Sequence, residues 1–225
     1  MNCLIVGGTS GLGACLAYQL AGRYSVIVTG RHDPGGGNAH FARLDLTGDA
    51  LDERIAAVVK RLPQIDLLVY SAGYYQQGRI TDLKPAEVHD MLAVGLAAPI
   101  LLAQAVLQNQ GMLDTFVAVT STSQWTPRAY EPVYAAVKAG LAHFANSLSL
   151  DSHVRRVLVA GPAGMETAFW AGSDKDTSGM LRPDWVANQV IQLLEKEPDF
   201  SYKAARILRE PARVEVHELR VNPTA

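Results

Sequence analysis

Two cysteines are all that this 225-residue chain holds. Cys3 falls in a strand-like run and Cys15 in a helical one, so both are read as small buried hydrophobes in a reducing compartment, not as a disulfide. Basic residues are also scarce. Twenty Lys and Arg against 22 Asp and Glu leave a net charge of −2, and no basic run occurs, so the electrostatic footprint of a nucleic-acid binder is missing. The longest apolar stretch, LAVGLAAPILLA at 92–103, contains Gly and Pro and is too short to cross a bilayer, so no membrane partner is expected. The six histidines, at 32, 40, 89, 143, 153 and 217, show no metal-type spacing, and no metal is expected. A strand-like NCLIVG follows Met1 directly, where a signal peptide would carry its charged and apolar regions. A cytoplasmic protein is the expectation.

What the chain does have is alternation. Hydrophobic residues make up 48% and charged residues 19%, which suits a folded domain and excludes global disorder. Short apolar runs at 4–6, 26–29, 41–44, 65–70, 115–120, 156–160 and 214–221 read as strands. Most are continuously apolar, as parallel strands covered on both faces must be. Helical patterns occupy 11–21, 49–62, 85–109, 132–150 and 183–196 between them. This order predicts an α/β protein: a Rossmann-like, doubly wound parallel sheet of about seven strands with helices on both faces, forming a single domain over 1–225. One connection departs from the rule. RHDPGGGNAH (31–40) carries Pro and three consecutive Gly, and a helical crossover needs a dozen residues or more. The helix between strands 2 and 3 is therefore expected to be missing. The small, polar segment 171–182 (AGSDKDTSGMLR) is expected to be a mobile loop.

Directly after the first strand stands GGTSGLG, with Gly7, Gly11 and Gly13 spaced G-x-x-x-G-x-G around Thr9, Ser10 and Leu12. Glycine permits a tight strand-to-helix turn and lets backbone approach a pyrophosphate at the positive end of a helix. The second strand ends Thr29, Gly30, Arg31, with no carboxylate for a ribose hydroxyl. The planar fork of Arg31 suits the 2′-phosphate of NADP. Asp33, two residues later, offers a hydroxyl-binding acid, so NADP(H) is favoured with NAD(H) an alternative. Further on, VYAAVKAGL sets Tyr134 and Lys138 four residues apart, on one face of a helix.

The glycine turn and Tyr134-x-x-x-Lys138 together resemble the short-chain dehydrogenase/reductase family, and the resemblance spans nearly the whole chain. Several further segments carry it. RLDLTG holds Asp45 and Leu46 at the adenine-contacting position, and YSAG holds Ser71, Ala72 and Gly73 beside the adenosine. Ser121, thirteen residues before Tyr134, matches the family's catalytic serine. GPAGMET holds Pro162 and Thr167, matching the segment against the nicotinamide, and VEVHELRVNP resembles the last strand. The resemblance implies an NAD(P)-dependent oxidoreductase acting on a small carbonyl or alcohol substrate. It makes Tyr134 the general acid in reduction and general base in oxidation, Lys138 the residue that lowers its pKa and holds the nicotinamide ribose, and Ser121 the group that polarises the carbonyl. It also implies a homodimer or homotetramer paired through the fourth and fifth helices, whose apolar faces equally suit burial within one chain.

The pattern has departures. Gly95 stands where the family carries an Asn that supports a water-mediated proton relay. A glycine at this point, with Pro99 just beyond, implies a locally bent helix. Ser71, Ala163 and Val6 are milder replacements. Gly95 leaves open a second reading, a cofactor-binding sensor or scaffold with impaired turnover, which intact Ser121, Tyr134 and Lys138 argue against. Phe169 and Trp170, and Trp125 with Tyr130, are candidate aromatic walls for a hydrophobic or planar substrate, or simple local packing.

Overall fold

A computed structural model describes residues 1–35 and 39–221. One eight-stranded sheet runs in the order β3-β2-β1-β4-β5-β6-β7-β8. The strands are β1 (Asn2–Val6), β2 (Ser25–Gly30), β3 (His40–Arg43), β4 (Leu67–Tyr70), β5 (Leu113–Val119), β6 (Val154–Pro162), β7 (Phe200–Arg209) and β8 (Ala212–Val221). The first seven are parallel, and β8 turns back antiparallel to β7. The helices are α1 (Gly11–Leu20), α2 (Leu51–Val59), α3 (Pro85–Leu92), α4 (Ala98–Gln110), α5 (Pro132–Leu148) and α6 (Pro183–Glu195).

The strands are apolar throughout because each feeds two cores. Side chains alternate across a strand, so in β1 Leu4 and Val6 join the layer under α2, α4 and α5, where Ile55, Leu102 and Leu141 lie. Cys3 and Ile5 face the other way, toward Leu12 and Leu16 of α1 and Val186 and Val190 of α6. Burial pushes the Cys3 thiol up to about 12, which leaves it an inert hydrophobe. No helix joins β2 to β3 among the described residues, and Gly36, Gly37 and Asn38 of that expected loop lie outside them. The missing cover shows in β3, none of whose four residues is fully buried. Pro85, Pro132 and Pro183 each open a helix, where a missing N–H costs nothing and φ is already helical.

Between α3 and α4 the chain forms one wide π turn, Ala93–Ala97, and the two helices run on as a single rod, Pro85–Gln110. This rod is long and apolar enough to cross a membrane by length and composition, but Val94, Ala98, Leu102 and Val106 are buried in the core. The bend expected at Gly95 is thus a widened turn with two physical causes. The buried Tyr70 hydroxyl donates to the Val94 carbonyl. A Cβ on Gly95 would stand 2.6 Å from a Val137 methyl, so glycine lets α5 lie against the rod.

One assignment is corrected. The last parallel strand is not 214–221 but β7, a segment in which the sequence suggested no element. Its apolar pattern is broken by the charged Lys203 and Arg206. Lys203 is 1% exposed, with Nζ donating to the carbonyls of Leu193 (2.8 Å) and Lys196 (2.7 Å) at the C-terminal end of α6. A cation there meets the negative end of the helix and satisfies acceptors no backbone amide reaches. VEVHELRV forms β8, an exposed edge strand; Asn222 and Pro223 lie outside the described residues.

Candidate active site

The carboxyl ends of β1, β2 and β4–β6 open into one cleft of about 910 Å³. The residues assigned from the sequence to cofactor and catalysis all line it: the glycine turn, Arg31, Asp45, Leu46, Ser71, Ala72, Gly73, Ser121, Tyr134, Lys138, Pro162 and Thr167. A parallel sheet brings them together because each crossover returns the chain to the same edge.

The floor of the nucleotide half is backbone. Gly7 has φ +78°, and a Cβ there would lie 2.6 Å from the Ala72 Cα, so β1 and the YSAG turn can approach only without a side chain. A Cβ on Gly13 would collide with the Gly7 carbonyl oxygen. Thr29 holds the turn by accepting from the amides of Gly7 and Gly8, both at 3.1 Å. Ser10 occupies the N-cap of α1 without bonding through its side chain, which leaves the first amides of the helix for an anion. Thr9 packs against Gly30, and exposed Arg31 stands at the end of β2. Burial raises the pKa of Asp45, but two hydrogen bonds from Thr47 (N, 3.0 Å; Oγ1, 2.8 Å) with Arg31 and Arg54 nearby hold it below the usual range overall. This bare, amide-rich turn beside an arginine fits a dinucleotide.

The substrate half is made of side chains. Ser121 caps a short 3-10 turn (Thr122–Gln124), its Oγ accepting from the Ser123 amide at 3.1 Å. Tyr134 and Lys138, one turn apart on α5, are 7% and 4% exposed. Lys138 donates from Nζ to the Val119 carbonyl at 3.0 Å and stands 5.7 Å from the centre of the Tyr134 ring. Burial pushes the Lys138 ammonium down to about 8. The Tyr134 phenol is moved well up by burial, eased by the Ser121 hydroxyl and pushed up again by the charge of Glu131. In this state, burial, Ser121 and Glu131 act on the phenol, while the Lys138 ammonium is held by a β5 carbonyl. Thr167 lies across from Gly11 and caps a second 3-10 turn, Ala168–Trp170.

Of the aromatic candidates, Phe169 and Trp170 reach the cleft, where both meet Tyr75 (centroids 5.6 and 5.0 Å) and Phe169 also meets Tyr134 (5.9 Å). Trp125 does not. It lies over Gly161 beneath the Arg206 guanidinium, 4.6 Å from its ring centre, and Tyr130 is exposed beside Arg79. Sequence reasoning missed Tyr75, Ser123, Glu131 and Lys175. The one available signal was Glu131, an acid one turn ahead of Tyr134 at the head of an apolar helix. Among the described residues no cluster of His, Cys, Asp and Glu suits a metal.

Residues 2–178 match the short chain dehydrogenase family, and the chain belongs to it: an NAD(P)-dependent oxidoreductase of the short-chain dehydrogenase/reductase family. It is 28% identical over 186 residues to the short chain dehydrogenase helC of Aspergillus fumigatus, covering 74% of this chain and 72% of that one. It is also 28% identical over 196 residues to the 3-oxoacyl-[acyl-carrier-protein] reductase FabG of Escherichia coli, 79% of each. A short-chain dehydrogenase from Sphingobium yanoikuyae, solved in complex with NADPH, shares the fold with a TM-score of 0.75 at 20% identity, over 87% of this chain and 85% of that one.

Proposed function

We propose that the protein is an NADPH-dependent reductase of a ketone or aldehyde, or the dehydrogenase working in reverse. The observation that carries this reading is the convergence of Ser121, Tyr134 and Lys138 in the cleft that also holds the glycine turn and Arg31. A nicotinamide bound in the cleft would supply or accept the hydride at the carbonyl carbon. The glycine turn and the first amides of α1 hold the pyrophosphate, Arg31 the 2′-phosphate, Asp45, Leu46 and the Ser71–Gly73 turn the adenosine side, and Pro162 with Thr167 the nicotinamide side. Ser121 hydrogen-bonds the substrate oxygen and draws charge onto it. The Tyr134 phenol gives that oxygen its proton, completing the alcohol. A buried phenol keeps its proton too tightly for this, and the Lys138 ammonium, freed from Val119 to reach the ribose and the phenol, stabilises the phenolate left behind.

A sensor with impaired turnover remains a second reading, favoured by Gly95: contact with Val137 leaves no room for a relay side chain there. The protein is further read as cytoplasmic and as a homodimer or homotetramer. Much of the apolar face of α4 and α5 covers the sheet, leaving Ile100 on the outer side.

Fluorescence titration with NADPH and NADH, with Arg31→Ala alongside, tests the cofactor. NADPH is expected to bind at least ~10-fold more tightly, and Arg31→Ala to remove the difference. A panel of aromatic and aliphatic aldehydes and ketones, monitored by NADPH consumption, then tests turnover. Binding of neither nucleotide overturns the reading, and binding without turnover on any substrate moves it to the sensor.

A further inference from the structure

Glu131 is the point at which four cleft-forming segments meet. Its carboxylate is 9% exposed and accepts from the Tyr75 hydroxyl (3.3 Å) after β4, the Ser123 hydroxyl (3.2 Å) after β5 and the Lys175 ammonium (2.9 Å) after β6. Glu131 itself heads α5, three residues before Tyr134. Two of the three partners lead to a reacting group. The Ser123 amide donates to Ser121 Oγ, and the Tyr75 ring meets the Tyr134 ring edge-on with centroids 5.4 Å apart. Lys175 belongs to the segment that carries Phe169 and Trp170, and its ammonium lies 5.9 Å from the Trp170 ring centre.

We infer that Glu131 and Lys175 form a clasp that docks the segment after β6 onto the head of α5, holds Ser121 and Tyr134 in register, and makes the charge beside the phenol depend on that docking. Both are positioning residues, and the inference rests on Tyr134 being the proton donor. Glu131 alone is a poor neighbour for a phenol that must yield a proton, because its negative charge opposes phenolate. With Lys175 docked the pair is close to neutral. With Lys175 withdrawn the carboxylate acts unopposed and the phenol holds its proton harder. The other charged groups on this side are Arg128 before α5, Asp176 beside Lys175, and Lys138 one turn beyond Tyr134. The Arg128 carbonyl accepts the Glu131 amide at 3.2 Å, but the Glu131 carboxylate bonds Tyr75, Ser123 and Lys175 and not the side chains of these three. The active acid is therefore assembled only when the segment after β6 is down over the substrate.

The test is a titration of Tyr134 in the NADP⁺ complex, using carbon-labelled tyrosine and the resonance that Tyr134→Phe removes, so that no substrate is needed. Glu131→Gln, nearly the same shape, is expected to lower the midpoint by roughly one pH unit and Lys175→Met to raise it by about as much. Lys175→Arg should restore the wild-type midpoint, and the double variant should fall between the singles. Lys175→Met should also be cut faster by protease within 171–182. Midpoints that coincide, or an unchanged cleavage rate, overturn the clasp. Lys175 is one-third exposed, so its variant keeps the test available if Glu131→Gln fails to fold. Failure of the wild type to bind either nucleotide would instead sink the proposed function.

Discussion

The two halves of the cleft are built from different materials. The nucleotide half is backbone: glycines whose missing Cβ atoms let β1, α1 and the 70–73 turn close on one another, with amides left for a phosphate. The substrate half is a web of side chains, in which Ser121, Tyr134 and Lys138 are held by Ser123, Tyr75, Glu131, Lys175 and the Val119 carbonyl. Backbone geometry fails all at once when a Cβ intrudes. A web of hydrogen bonds and charges is adjusted by degrees.

Substitutions in the two halves should therefore fail differently. Gly7→Val is expected to have the largest effect, since φ +78° and the 2.6 Å approach to Ala72 leave a branched side chain no place. NADPH binding should disappear in titration, with a loss of ~3 kcal/mol or more in urea unfolding. Tyr134→Phe should do the reverse: nucleotide affinity and stability within about a factor of two, but carbonyl reduction down ~10³-fold. A Tyr134→Phe that lost cofactor binding, or a Gly7→Val that kept it, would break the comparison.

Smaller effects sharpen it. The Lys138 ammonium titrates near 8 in the fold against 10.5 when free, so the folded chain binds fewer protons between those values. Stability contributed by this group rises with pH through that window and is lowest below 8, where a buried charge must be held. Wild type should thus gain on Lys138→Met by about 2 kcal/mol between pH 8 and 10, read as the difference of two urea curves. A difference independent of pH would show that the ammonium is not buried as described. Lys203→Met, far from the cleft, should cost about 1–3 kcal/mol by stripping the α6 carbonyls of their donor, with nucleotide affinity unchanged. Gly95→Ala is expected to cost least, about 1–2 kcal/mol, through the stiff Val137.

The unevenness of what could be read beforehand follows the same division. The glycine spacing, the continuous apolar strands and Tyr134-x-x-x-Lys138 are local features, and the structure places the glycine turn, Tyr134 and Lys138 in one cleft and the strands between two cores. That no helix joins β2 to β3 among the described residues was visible beforehand as a shortage of residues. β7 was not visible, because Lys203 and Arg206 look like solvent-facing charges until a helix end and a Trp125 ring arrive from elsewhere in the chain to receive them. Trp125 stayed open between pocket wall and local packing for the same reason, and Gly161 on a neighbouring strand decides for packing.

Sequence alone therefore determined the parallel sheet, through periodicity, and singled out the glycine turn and the pair Tyr134 and Lys138 by spacing within one unit, with Ser121 added by family resemblance. Tertiary structure decided the antiparallel β8, the widened turn around Gly95 and the carboxylate that gathers Tyr75, Ser123 and Lys175. These last depend on contacts between residues far apart in the chain. Glu131 and Lys175 are separated by 44 positions, and nothing in either neighbourhood specifies the other. Their meeting is a consequence of which strands lie side by side.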